Sequence, residues 1–168
     1  MSSKLRKTAA SAALLCSIIS GCSGMDEKSA DTPVRVSSEV QDEVEKVSSS
    51  ILDIISLKAK LTESGAMITS CDGGAYRAYH PWSLYGPPAK ALGEVMDKLR
   101  GQLPKKGWKI VKDGPDETQV RSPQIIAEST DGKFSLDARF HDGRDGGPAQ
   151  LEVGVQSACF RPESTATS

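Results

Sequence analysis

The sequence predicts an α+β domain: a two-layer α/β sandwich, in the order α-β-α-β-β-β, with two helices on one face of a mainly antiparallel sheet. Three observations predict it. Apolar residues recur at alternating spacings of three and four from Val40 to Ile54, and again from Leu92 to Leu103, the period of a helix with one buried side. Phe134, Leu136, Ala138 and Phe140 alternate with polar residues, as do Leu151, Val153 and Val155, the period of a strand with one buried side. Asp131-Gly132 lies just before one of these runs, where it makes a tight hairpin turn. A chain of 168 residues that is 38% hydrophobic is long enough for one such domain and its core.

The first residues stand apart from the fold. Lys4, Arg6 and Lys7 precede an apolar run from Ala9 to Ile19 that ends in small residues, the make-up of a secretion signal. The run is too short to span a bilayer as a retained helix, and Asp26, Glu27 and Lys28 follow closely. Its end, Ile19-Ser20-Gly21-Cys22, resembles the lipobox of bacterial lipoproteins: an aliphatic residue, two small ones, then a cysteine. The resemblance implies cleavage after residue 21, a diacylglyceryl group on the Cys22 thiol, and further acylation of the new terminus. Two or more acyl chains suffice for stable anchoring. The membrane contact is then lipid on Cys22, at the extracytoplasmic face of the cell membrane.

Residues 22–37 are polar and include Pro33, the composition of a flexible tether, and the domain is expected over 38–162 with a tail at 163–168. Ser38 followed by Gln41 fits a capping box. The stripe Val40, Val44, Val47, Ile51, Ile54 and Leu61 predicts one long helix that stops near Ser64-Gly65. The run Ala66 to Cys71 predicts a strand leading into a turn at Asp72-Gly73-Gly74. The stretch AYRAYHPWSLYGPP follows, read as a connection. Pro87 and Pro88 then sit at the start of a second helix, with Leu92, Val95, Met96, Leu99 and Leu103 on its buried side and Pro104 beyond its end. Lys105 and Lys106 lie near the negative pole of its dipole. Trp108 to Val111, then 123–129, 133–140 and 150–159 read as sheet.

Cys16 leaves with the signal and Cys22 is modified, so Cys71 and Cys159 remain, and an even pair in an exported domain reads as a disulfide. Its loop of about 88 residues contributes about 4 to 5 kcal/mol in the chain-entropy model. The other reading is two unrelated buried thiols. The layout resembles the LppA-like lipoproteins of actinobacteria: a lipobox, a first helix, a cysteine before a second helix, a glycine-led strand, and a closing strand that ends Cys159-Phe160-Arg161. That resemblance implies an envelope lipoprotein without an established reaction.

Several functions are set aside by composition and motif. Removing Lys4, Arg6 and Lys7 leaves 18 of the 21 basic residues against 22 acidic ones, a formal balance of −4 that implies no nucleic-acid partner. The chain has no GxSxG elbow, phosphate loop, GxGxxG or HExxH, and no cofactor is expected. With His80 and His141 the only histidines, a His-rich metal site is not available, and Asp142 to Asp145 departs from a calcium loop at Arg144 and Gly146. Asp72, His80 and Ser83 compose a triad on paper only. The expected function is binding or scaffolding in the cell envelope, without catalysis, toward an envelope protein or a small ligand. A small-ligand or lipid carrier with a pocket between helices and sheet is the alternative, and a hydrolase using His80 stands third. Tyr76, Tyr79, His80, Trp82 and Tyr85 make the candidate binding surface. The four aromatics recur every third residue, on one side of an extended or turning chain, and a lid over the core edge is preferred to recognition.

Overall fold

The computed structural model describes residues 32–62, 64–144 and 146–163. The expected signal, Cys22 and most of the tether and tail lie outside them. Among the described residues the fold is α+β, with two α-helices and a seven-stranded antiparallel sheet. Helix α1 covers Ser37–Ile55 and α2 covers Ala89–Gln102. The strands are β1 (Val34–Arg35), β2 (Lys60–Leu61), β3 (Met67–Ser70), β4 (Tyr76–Tyr85), β5 (Trp108–Pro115), β6 (Pro123–Ser129), β7 (Phe134–His141), β8 (Gln150–Ser157) and β9 (Arg161–Pro162). The order therefore differs from α-β-α-β-β-β: β2, β3 and β4 stand between the helices, and β5 to β8 follow α2.

Helix α1 buries Val40, Val44, Ser48, Ile51 and Ile55. It ends earlier than the apolar stripe predicts, because Ser56 takes the left-handed conformation (φ 48°) and its N–H closes on the Leu52 carbonyl at 2.9 Å. Leu61 belongs instead to β2. The capping box is not formed: Val36 occupies the N-cap, and Gln41 Nε2 donates to the Ala66 carbonyl at 2.6 Å. Helix α2 has Pro88 at its N-cap, where the sequence places its start, and buries Leu92, Val95, Met96 and Leu99. A short 3-10 turn, Leu103–Lys106, then closes at Gly107, whose φ of 82° favours glycine.

The main sheet has the order β2-β4-β8-β7-β6-β5, with β3 paired to the same edge of β4 as β2. The hairpin at Asp131-Gly132 forms between β6 and β7, and Asp131 accepts from Ser129 Oγ at 2.6 Å and Lys133 N at 3.1 Å. One sheet face contributes Ala78, Trp82, Leu84, Ile125, Ala127, Leu136, Ala138, Leu151, Val153 and Val155 to a core shared with both helices. Cys71 and Cys159 are disulfide-bonded with Cα atoms 6.3 Å apart, beside a bridge between Tyr76 and Phe160. Val34 and Arg35, expected in the tether, pair in parallel with Arg161 and Pro162. Arg35 also grips Glu43 of α1 through two hydrogen bonds of 3.0 and 2.7 Å.

Candidate functional site

The aromatic stretch is not a connection. It forms β4, a strand in the interior of the sheet with β8 on one side and β2 and β3 on the other. Proline inside such a strand normally removes a ladder hydrogen bond. Here Pro81 falls in the gap between the partners of β2 (Leu84, Tyr85) and β3 (Tyr76 to Tyr79), and its carbonyl on that side accepts from Ser64 Oγ. The missing N–H therefore has no strand to serve.

Because side chains alternate along a strand, a spacing of three divides the aromatics instead of aligning them. Trp82 is 5% exposed and joins the core, and His80 lies on that same side. Tyr76 shares it too but sits at the strand end, 38% exposed. Tyr79 and Tyr85 face the other way. The one-sided aromatic lid is thus replaced by a core tryptophan and a separate tyrosine surface. The paper triad is not assembled either, since His80 and Ser83 lie on opposite faces and Asp72 sits in the turn before the strand.

The face that carries Tyr79 is polar and is built from alternate residues of β4 to β8. Lys112 Nζ donates to Gln124 Oε1 at 2.7 Å, and Gln124 Nε2 donates to both oxygens of Asp137 at 2.8 and 2.9 Å. Arg139 adds a 2.9 Å bond to Asp137, while its Nε is buried without a partner. His141 Nε2 lies 3.0 Å from Glu152 Oε2, close but not aligned as a hydrogen bond, and Gln150 donates to Glu152 at 3.0 Å.

At the centre stands Gly154, which pairs with Pro81 on one side and Asp137 on the other. The Tyr79 ring covers it. A Cβ at Gly154 would meet Tyr79 Cε2 and its hydroxyl oxygen at 2.8 Å. Burial of the phenol first, and the Asp137 charge second, push the Tyr79 pKa above the ordinary value of 10.0. Around this point opens a hollow of about 490 Å³, lined among others by Tyr79, Ser83, Asp137, Arg139, Glu152 and Gly154. It offers guanidinium and phenol donors beside carboxylate acceptors, a set suited to a polar partner carrying both kinds of group.

Asp137, Arg139, Glu152 and Gly154 were not among the sequence-derived site residues. Two signals mark them: the polar half of each amphipathic strand, and a glycine inside a strand, which indicates close approach by another group. Among the described residues, no cluster of His, Cys, Asp or Glu is arranged to hold a metal, and no helix is long and apolar enough to cross a membrane. No family model, curated protein or solved structure matches the chain.

Proposed function

We propose that this chain is a lipoprotein of the cell envelope, anchored through lipid on Cys22 at the extracytoplasmic face, that works by binding a polar protein partner and not by catalysis. The domain is read as a two-layer sandwich whose helices cover one side of the sheet and leave the other to the partner. The observation that carries the binding reading is the hollow around Gly154, where Tyr79 and Arg139, residue types preferred as interface anchors, stand over a half-buried polar array. The motif Ile19-Ser20-Gly21-Cys22 and the Cys71–Cys159 disulfide support export. The likeness to LppA-like lipoproteins agrees with this reading. A lipid carrier is less well supported, because this hollow is lined mainly by charged and hydroxyl-bearing residues, and between α1 and the sheet the core side chains leave a recess of only about 150 Å³.

Photocrosslinking in intact cells, with the reactive group in place of Ser135 on the polar face, tests the binding reading. A partner band lost in Arg139→Glu and Tyr79→Ala, but kept in Lys46→Glu on the exposed side of α1, is expected. A band indifferent to both face substitutions, in variants that remain folded, contradicts it.

A further inference from the structure

On the other side of β4, under the middle of α1, is a recess of about 150 Å³ lined by Ser48, Ser49, Leu52, Leu61, Thr62, Ser64, His80 and Trp82. Its floor is polar in a place where apolar residues are the rule. Ser48 interrupts the buried stripe of α1 and is 3% exposed, yet its hydroxyl has no partner. Helical serines usually turn back on their own backbone. Ser49 does so on the Glu45 carbonyl at 2.9 Å and Ser50 on the Val47 carbonyl at 2.7 Å. Trp82, 5% exposed, leaves its indole N–H unpartnered as well. His80 sets its Nε2 at 2.5 Å from the Ser64 carbonyl, which can only accept, so the proton is on Nε2. The buried, unpartnered Nδ1 is then an acceptor in the neutral ring.

Three of the residues that line the recess each bury a polar atom without a partner, a costly arrangement unless something reaches these atoms. They supply an N–H donor, a hydroxyl and a nitrogen acceptor. Leu52 and Leu61 give apolar walls, and Ser49, Leu61, Thr62 and Ser64 are exposed at the mouth. No Asp, Glu, Lys or Arg is among the described lining residues. A volume near 150 Å³ is that in which a buried cavity takes a benzene-sized ring.

We propose that this recess is a binding site for a small uncharged molecule, one ring in size, with an oxygen that accepts from Trp82 Nε1 and a proton donated to His80 Nδ1. A hydroxyl on a ring meets both demands, and Ser48 completes its hydrogen bonding. The recess adjoins the hollow of the polar face, since Thr62, Ser64 and Trp82 line both, but Ser48, Leu52 and His80 belong to the recess and not to the hollow.

Phenol and toluene, matched in size but not in hydrogen bonding, are the probes. The purified full-length protein is titrated with each while the Trp82 indole N–H is followed by NMR. Phenol should move that signal saturably and bind at least about tenfold more tightly than toluene, as two hydrogen bonds allow. Ser48→Ala should keep the melting temperature while weakening phenol about three- to tenfold, the range of one neutral hydrogen bond. An unmoved Trp82 signal, equal binding of toluene, or Ser48→Ala that lowers stability and leaves phenol binding intact each overturns the proposal in favour of a water-filled or merely apolar recess.

Discussion

The Tyr79 ring lies across Gly154 of the neighbouring strand so closely that a Cβ there would sit 2.8 Å from the ring. Alanine at Gly154 would ordinarily stabilise by restricting the unfolded chain, by about 0.4 to 1 kcal/mol. Here the overpacking penalty, about 1 to 3 kcal/mol, should win because a flat aromatic held on a strand cannot yield like a flexible side-chain tip. Gly154→Ala is expected to lower the denaturant midpoint. In a Tyr79→Ala background the same substitution should lose its penalty, and a double-mutant cycle measures the difference.

The Tyr79 phenol ionises above its ordinary value of 10.0, chiefly because it is buried and secondly because of Asp137. A raised value in the folded state favours the protonated form, so its contribution to stability is fully present below pH 10 and lost as pH rises through the folded value. Phenolate absorbance should show one late-titrating tyrosine, absent in Tyr79→Phe. Asp137→Asn should bring it down toward the ordinary range.

Trp82 and Tyr79 are close in sequence but occupy opposite faces, and their truncation should differ accordingly. Trp82→Ala empties core volume and is expected to cost about 3 to 5 kcal/mol. Tyr79→Ala, on the solvent side, should cost less. Equal losses in chemical denaturation would contradict this division.

Cys71 and Cys159 are 88 residues apart in sequence and joined, so non-reducing peptide mapping should recover one crosslinked fragment. Replacing both with serine is expected to lower stability by about 4 kcal/mol, from the released loop entropy. Reductant should reproduce the effect in the parent and add nothing in the double variant.

What the sequence disclosed followed local periodicity. The stripes Val40 to Ile54 and Leu92 to Leu103, and the alternation in β7 and β8, each report a buried side without help from elsewhere in the chain, although Ser48 and Ile55, outside the first stripe, are more deeply buried than its Val47 and Ile54. The strand β4 was hidden because Pro81 argues against an interior strand, and because tyrosines and a tryptophan at every third position mask a period of two. Only the gap between β2 and β3 makes that proline harmless. The early end of α1 rests on Ser56 in a left-handed conformation, which serine seldom signals. The polar face was legible residue by residue but not as a site. Tyr79, Asp137, Arg139 and Glu152 meet only through the registers of β4, β8 and β7, which no local pattern encodes.

The claim on which the envelope function depends is the lipid on Cys22, and the mass of the N-terminal peptide from membrane-recovered protein tests it most directly. The expected peptide begins at Cys22 and carries a diacylglyceryl group, and Cys22→Ala should leave the protein unprocessed and without lipid. A peptide that retains residues 1–21, or begins at an unmodified Cys22, in protein that still fractionates with membranes, would contradict anchoring at this residue.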